Sequence, residues 1–360
     1  MTEGCPAAQV SSQKKVRLGY MDVARGIAMV CIVAGHFGIA TINRVVYTFH
    51  VPLFFLMSGF FFSVKGTWPE FLLGKARQLL LPYLLGCTGI LIASFAYFAI
   101  VGWLPEFPAR AVYIIKASLW GAGTYHGEPL VVHQIGALWF LPALFFGYCV
   151  LRGALNTRFP LAVILAVSAA GWLSSRFVWL PLSLQPGMFC SLFLYLGYVV
   201  RQRQMIEHLA SRKGLVVGAV AFVVWIYCIY QGTAVNVVEI GINGGALAFA
   251  GAFAGSYVAV AASFGLERLM RPIARFFNYY GQLTLGILVF HAMADFVWPW
   301  GHLYAFLEAF GWVGAPAHLV VLAINVLWPL AALAIVRLLI PPVYRVLVPR
   351  EPAPLPLRAG

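Results

Sequence analysis

The chain has 360 residues, 62% of them hydrophobic and only 10% charged, against a charged fraction of roughly 25% in soluble domains. With a mean hydropathy of +0.88, a soluble fold is excluded and the chain reads as an all-α, polytopic integral membrane protein in contact with membrane lipids. The net charge of +13 does not point to nucleic acid, because no basic run is interleaved with exposed aromatics and membrane topology already accounts for the Lys and Arg bias.

Apolar runs near the ~20 residues that span a bilayer predict ten helices, at about 23–42, 45–64, 79–101, 135–151, 159–174, 187–200, 214–230, 244–263, 283–298 and 318–340. An N-terminus in the cytoplasm puts twenty of the 24 Lys and Arg residues on that side and leaves Arg44, Arg110, Lys116 and Arg176 outside, as the positive-inside bias requires. The expected layout is a disordered cytoplasmic N-terminus over 1–16, a transmembrane domain over 17–340 and a cytoplasmic tail over 341–360, in the cytoplasmic (inner or plasma) membrane. The six cysteines, Cys5, Cys31, Cys87, Cys149, Cys190 and Cys228, show no CxxC spacing, and five fall in predicted helices. Neither a disulfide framework nor a zinc site is expected.

The first predicted helix places Asp22, Arg25 and His36 in or beside strongly apolar sequence, where a polar side chain is a functional hypothesis by default. If 22–42 is one helix, Arg25 and His36 lie within about 20° of each other on its face and about 16 Å apart along its axis. Asp22 and Arg25, three residues apart, can pair at the entrance, whereas Asp22 is about 21 Å from His36 and cannot orient its ring. The helix thus reads as one wall of a tunnel, with charge at one end and an imidazole deep inside. The alternative is an interfacial salt bridge and a hydrogen-bonded structural histidine.

The second predicted helix carries FHVPLFFLMSGFFF. Pro52 suits a first helical turn, and Ser58-Gly59 admits a close helix neighbour. His50 falls at a depth similar to that of His36, so two sequential antiparallel helices can present both imidazoles to one cavity.

The Arg25-x10-His36 spacing, preceded by Asp22 and followed by FHVPLFFLMSGFFF, resembles the N-terminal pattern of the acyltransferase-3 family of integral membrane acyltransferases, particularly its fucose 4-O-acetylase-like branch. KARQLLLPYL at 75–84, ALWFLPALF at 137–145 and YYGQLTLGILVFH at 279–291 are similar to later landmarks of that family, in the same order. The resemblance spans residues 17–340. It implies a ten-helix enzyme that moves an acyl group, usually acetyl from acetyl-CoA, onto a sugar hydroxyl of a surface or exported carbohydrate or lipid-linked oligosaccharide. Acetyl-CoA would be a substrate, with no permanently bound cofactor and no metal.

Further along, Arg77 lies in the KARQLLLPYL landmark and is a phosphate-contact candidate, because a guanidinium can engage phosphate oxygens through two parallel hydrogen bonds. Lys65 and Lys75 read as topogenic charge. The connection over 102–134 mixes Trp103, Glu106, Tyr113, Trp120, His126, Glu128 and His133, a composition that suits carbohydrate stacking or, equally, an interfacial anchor. Trp139 opens the fourth helix at that same level, for substrate contact or for packing. His291 closes the last landmark, with Asp295 one turn beyond. Nucleotide-binding glycine loops, HExxH and GxSxG elements are absent from the sequence.

The expected enzyme uses His36 as general base, a role suited to a group of ordinary pKa near ~6.5, or as a covalent acyl carrier. Asp22, Arg25, His50, Arg77, Trp139 and His291 are the expected substrate-binding residues. Two rival classes stay open: a secondary transporter, whose inverted repeats are not evident here, and a non-catalytic subunit of a polysaccharide assembly or export complex.

Overall fold

A computed structural model describes residues 18–355; the N-terminal stretch 1–16, expected to be disordered, lies outside the described residues, as do Arg17 and Arg358. In chain order the helices are α1 (Gly19–Gly35), α2 (Ala40–Val46), α3 (His50–Phe60), α4 (Trp68–Lys75), α5 (Leu81–Ile100), α6 (Phe107–Trp120), α7 (Phe140–Leu155) and α8 (Pro160–Ser174). They continue with α9 (Leu184–Gln202), α10 (Arg212–Gln231), α11 (Ala246–Leu269), α12 (Arg271–Gln282), α13 (Thr284–Val297), α14 (Trp300–Ala309), α15 (Ala315–Leu339) and α16 (Pro341–Leu347). A π-helical segment, Ala76–Leu80, joins α4 to α5, and one antiparallel hairpin pairs β1 (Ala234–Asn236) with β2 (Gly241–Asn243).

Every expected apolar run contains a helix, but the spans differ in kind. Among the described residues six helical stretches are long and apolar enough to cross a bilayer alone, namely Trp68–Ile100, Gly136–Leu155, Pro181–Gln202, Arg212–Gln231, Ala246–Leu269 and Ala315–Leu339. The pair α12 and α13, bent by 76°, makes a seventh if taken as one broken span. The fold is therefore all-α and multi-pass, and many large side chains on α5, α10 and α15, such as Ile92, Leu215, Val223 and Leu338, are left exposed for lipid.

The first two expected helices need correction. Residues 22–42 are not one helix: α1 stops at Gly35, His36 is its C-terminal cap, and Gly38 takes a left-handed φ of +68° that a helix cannot continue through. The second run, expected over 45–64, is helical only as the 11 residues His50–Phe60. Pro52 has no N–H to donate to Thr48, so the ladder cannot extend smoothly back through residues 47–49.

α1 packs on α12, α11 and α3; α3 lies against α9, which also carries α7 and α8; and α13 is wedged between α5 and α15. The α3–α9 contact explains the Ser58-Gly59 pair. A Cβ at Gly59 would sit 1.9 Å from the Leu194 carbonyl oxygen, and one at Gly197 would sit 1.9 Å from that of Leu56, so both helices need a residue without a side chain where their backbones touch. At the end of this contact Arg201 donates to the Phe60 carbonyl at 3.2 Å. After α15 the chain turns back as α16, burying Tyr344, Leu347 and Val348, and the described part of the expected tail lies on the helical domain.

Candidate active site

The break after α1 sets the site. Because the helix ends at Gly35, His36 projects from its C-terminus with its side chain 40% exposed, rather than lying mid-helix as expected. It meets α13, where the i, i+4 spacing puts His291 and Asp295 on one face. His36 Nδ1 is 2.9 Å from His291 Nε2, and Asp295 Oδ2 is 3.2 Å from His291 Nε2 and 3.7 Å from His36 Nδ1. His291 is only 1% exposed and Asp295 30%, so the carboxylate is the more accessible partner.

These three side chains are also the one group among the described residues able to bracket a metal ion, with donor atoms within 4.8 Å of one another. Two imidazole nitrogens on a tetrahedral zinc would be about 3.3 Å apart, given Zn–N distances near 2.0–2.1 Å. The 2.9 Å His36–His291 contact is instead hydrogen-bond length. His36 and Asp295 both approach His291 Nε2, which carries either one proton or one lone pair and so hydrogen-bonds to one of them at a time.

His50 sits nearby in a different state. Its Nδ1 is 2.5 Å from the Val46 carbonyl oxygen, and a carbonyl only accepts, so Nδ1 carries the proton and Nε2 keeps a lone pair. The ring stacks on Tyr47 at 5.2 Å, and the Tyr47 hydroxyl donates to the Gly35 carbonyl at 3.0 Å. That bond ties the turn before α3 to the end of α1, and His36 and His50 line the same cavity.

At the other end of α1, Arg25 donates to Asp22 at 3.2 Å and lies over the Phe61 ring at 4.7 Å. The sequence expectation of an entrance pair holds in that geometry. Lys75 covers the Tyr148 ring at 4.1 Å and donates to Gln78 at 3.1 Å, and the Tyr148 hydroxyl donates to the Ser58 carbonyl at 3.3 Å. Arg25, Lys75 and Arg201 thus surround the C-terminal turn of α3.

One cavity of about 1910 Å³ connects these groups. Its basic end is lined by Arg25, Lys65, Lys75, Arg201 and Arg350 together with Asp22, Glu207 and Glu351; its middle by His36, His50 and Asp295; its far end by Thr124, Gln134, Trp139, Asn236, Glu239 and Trp300. Trp139 is therefore both packed, against Phe55 and Phe140, and part of the wall. His291 contributes through His36 rather than from the wall itself. At the far end the β1–β2 turn seats Val238 against Gly123 and Trp139, and Asn236 donates to Glu239 at 2.8 Å. Beyond the spans, His126 stacks on Trp179 at 4.0 Å, and burial there pushes its imidazole below the ordinary range.

Arg77 is the expected site residue that the structure does not bring to this cavity: it is exposed on the outer side of the π-helical segment, while Lys75, Gln78 and Leu79 line the wall. Sequence reading also passed over Asp295 as a partner of His36, although its spacing from His291 is the signal that finds it. Arg201 and Arg350 carry no motif that sets them apart from topogenic charge, and Lys75, although it opens the KARQLLLPYL landmark, reads as topogenic beside Arg77.

Residues 18–340 match the acyltransferase-3 family model, an acyltransferase domain. No curated protein and no solved structure compared with the chain matches it. The match covers the span from the first residue before α1 to the end of α15, with every cavity-lining helix inside it, and the chain belongs to the acyltransferase-3 family as a multi-pass membrane acyltransferase.

Proposed function

We propose that the protein is an O-acetyltransferase of the fucose 4-O-acetylase-like branch, moving acetyl from acetyl-CoA to a sugar hydroxyl of an exported polysaccharide or glycolipid. It would do so in the cytoplasmic membrane, with ten spans and both termini in the cytoplasm. The observation that carries this reading is the single cavity that joins a cation-rich end to His36 and then to a polar, tryptophan-bearing far end. The phosphates of the donor fit the cations. The pantetheine arm would lie along α1, whose axial rise from Arg25 to His36 is about 16 Å. The amides, hydroxyl and carboxylate of Gln134, Asn236, Thr124 and Glu239 suit sugar hydroxyls.

For His36 to act as base its Nε2 needs a lone pair, which requires the Nδ1 proton to be donated to His291 Nε2. The acceptor hydroxyl gives its proton to His36 Nε2, its oxygen bonds to the thioester carbonyl carbon, and the C–S bond breaks. The CoA thiolate then takes that proton from the imidazolium, returning His36 to its starting state. Asp295, 3.7 Å from His36 Nδ1, faces the positive charge that His36 carries between those two transfers.

The test is transfer by the detergent-purified protein of labelled acetyl from acetyl-CoA to a fucose-containing oligosaccharide, with mass spectrometry of the product. An ester on a sugar hydroxyl is the expected result. Release of CoA without any acetylated glycan, over a panel of deoxyhexose and hexose acceptors, would overturn the acceptor assignment.

A further inference from the structure

The residues that follow the family domain are built into the mouth of the cavity. Leu347 and Val348 are buried at the end of α16, and seven residues later Leu355 is buried again, 8% exposed, in a cluster with Val23 of α1 and Ala274 of α12. Between these anchors the chain crosses the cavity rim, where Pro349, Arg350 and Glu351 line the same opening as Leu18, Tyr20 and Arg25.

Its backbone is held by a side chain acting as a surrogate strand. The Gln282 amide donates to the Ala353 carbonyl at 2.9 Å, and Ala353 N–H donates back to Gln282 Oε1 at 2.7 Å. Gln282 Nε2 also donates to Asn278 Oδ1 at 2.6 Å, and Asn278 Nδ2 donates to the Gly19 carbonyl at 3.1 Å. A chain of hydrogen bonds therefore runs from the crossing segment to the first turn of α1, three residues before Asp22. Glu351, which also lines the rim, is paired with Arg337 at 3.6 Å, while Arg350 makes no ion pair among the described residues. Its charge is left at the rim.

We propose that residues 348–355 are a strap that completes the cation-rich mouth, with Arg350 a binding residue for the phosphates of the donor. The proposal rests on the donor being a phosphate-bearing thioester, as inferred above. The reciprocal Gln282 pairing fixes where the strap crosses, and the Leu355 anchor keeps it there. The cation comes from outside residues 18–340, the span matched by the family model.

The experiment uses the full chain in detergent and reads CoA binding by calorimetry alongside steady-state acetyl transfer. Arg350→Gln should raise the Kd for CoA and the KM for acetyl-CoA about tenfold, the scale of one charge-assisted phosphate contact, with kcat unchanged. Arg350→Lys should recover part of the loss, since it keeps charge but not the fork. Leu355→Asp, which unhooks the strap without touching the cation, should reproduce the Arg350→Gln effect. Arg345→Gln, on an exposed residue outside the cavity, should leave both constants at the parent value. If Arg350→Gln matches Arg345→Gln while the parent binds CoA, the strap proposal fails and the donor reading survives. A parent that does not bind CoA overturns both.

Discussion

At the scale of single residues the site is decided by which nitrogen holds which proton. His50 is fixed by the Val46 carbonyl at 2.5 Å, leaving it one tautomer, whereas His36 shares its Nδ1 contact with another imidazole and can be either donor or acceptor there. His36→Gln keeps a hydrogen-bonding group but cannot take up a proton at neutral pH. Acetyl transfer by the purified variant should fall by the roughly 10²- to 10⁴-fold typical of losing a general base, with CoA binding retained and normal protein yield. An active Gln variant would remove His36 from the chemistry. Asp295 acts through His36 and is a positioning residue: Asp295→Asn should lower kcat on the order of 10²-fold with KM for acetyl-CoA unchanged, and Asp295→Glu should restore part of it. A change confined to KM would place Asp295 on the donor instead. The Asp22, Arg25 and His36 set was legible from spacing and from the cost of polar groups in apolar sequence. The meeting of His36 with His291 was not, because 255 residues separate them and nothing local in sequence reports which helix packs against which.

Among the elements, two local features move chemistry from where sequence alone puts it. The first is the end of α1. Gly35 and Gly38 are stop signals in the sequence, but the mostly apolar stretch over 23–42 is long enough for a single span, and the expected mid-helix imidazole is a C-terminal one. The second is the π-helical Ala76–Leu80, whose wider i→i+5 turn shifts side-chain register by a fraction of a turn. A regular helix through 75–84 gives no reason to prefer Lys75 to Arg77, and the motif favoured Arg77. With the π segment in place it is Lys75 that lines the cavity. Lys75→Ala should therefore raise KM for acetyl-CoA several-fold, and Arg77→Ala should leave it near the parent value; steady-state kinetics on both variants checks this, and the opposite ranking would restore the sequence assignment. The helix bend of 76° between α12 and α13 likewise lay hidden, since the apolar run over 283–298 showed only its second limb.

For the molecule as a whole, composition made the membrane class and the all-α fold legible, and the order of the apolar runs located every long helix. Span number was less legible, because α1, α3 and α8 are shorter than a bilayer-crossing helix needs by itself and take their place through packing on α11, α12 and α9. The proposed ten-span topology makes a direct prediction. In a cysteine-free background, Thr124→Cys should react with an impermeant thiol reagent added to intact cells and Gln204→Cys should not. Both residues line the same cavity, so labelling from opposite sides would also establish that it opens to both. The reverse pattern would invert the topology.

A cavity of about 1910 Å³ lined by arginine, lysine, carboxylate and amide groups is polar and roomy enough for water, and water is a conductor beside the hydrocarbon around it. In an energised membrane the voltage therefore does not fall evenly across the protein but is redistributed along this cavity, whose middle is lined by His36 and Asp295. A unit charge moved through the full drop is worth about 2.3 kcal/mol per 100 mV, and a proton passing on and off an imidazole there moves through part of it. The enzyme would then be coupled to the electrical state of its cell: in proteoliposomes the rate of acetyl transfer should change when a potassium diffusion potential is imposed and return when valinomycin and equal potassium abolish it.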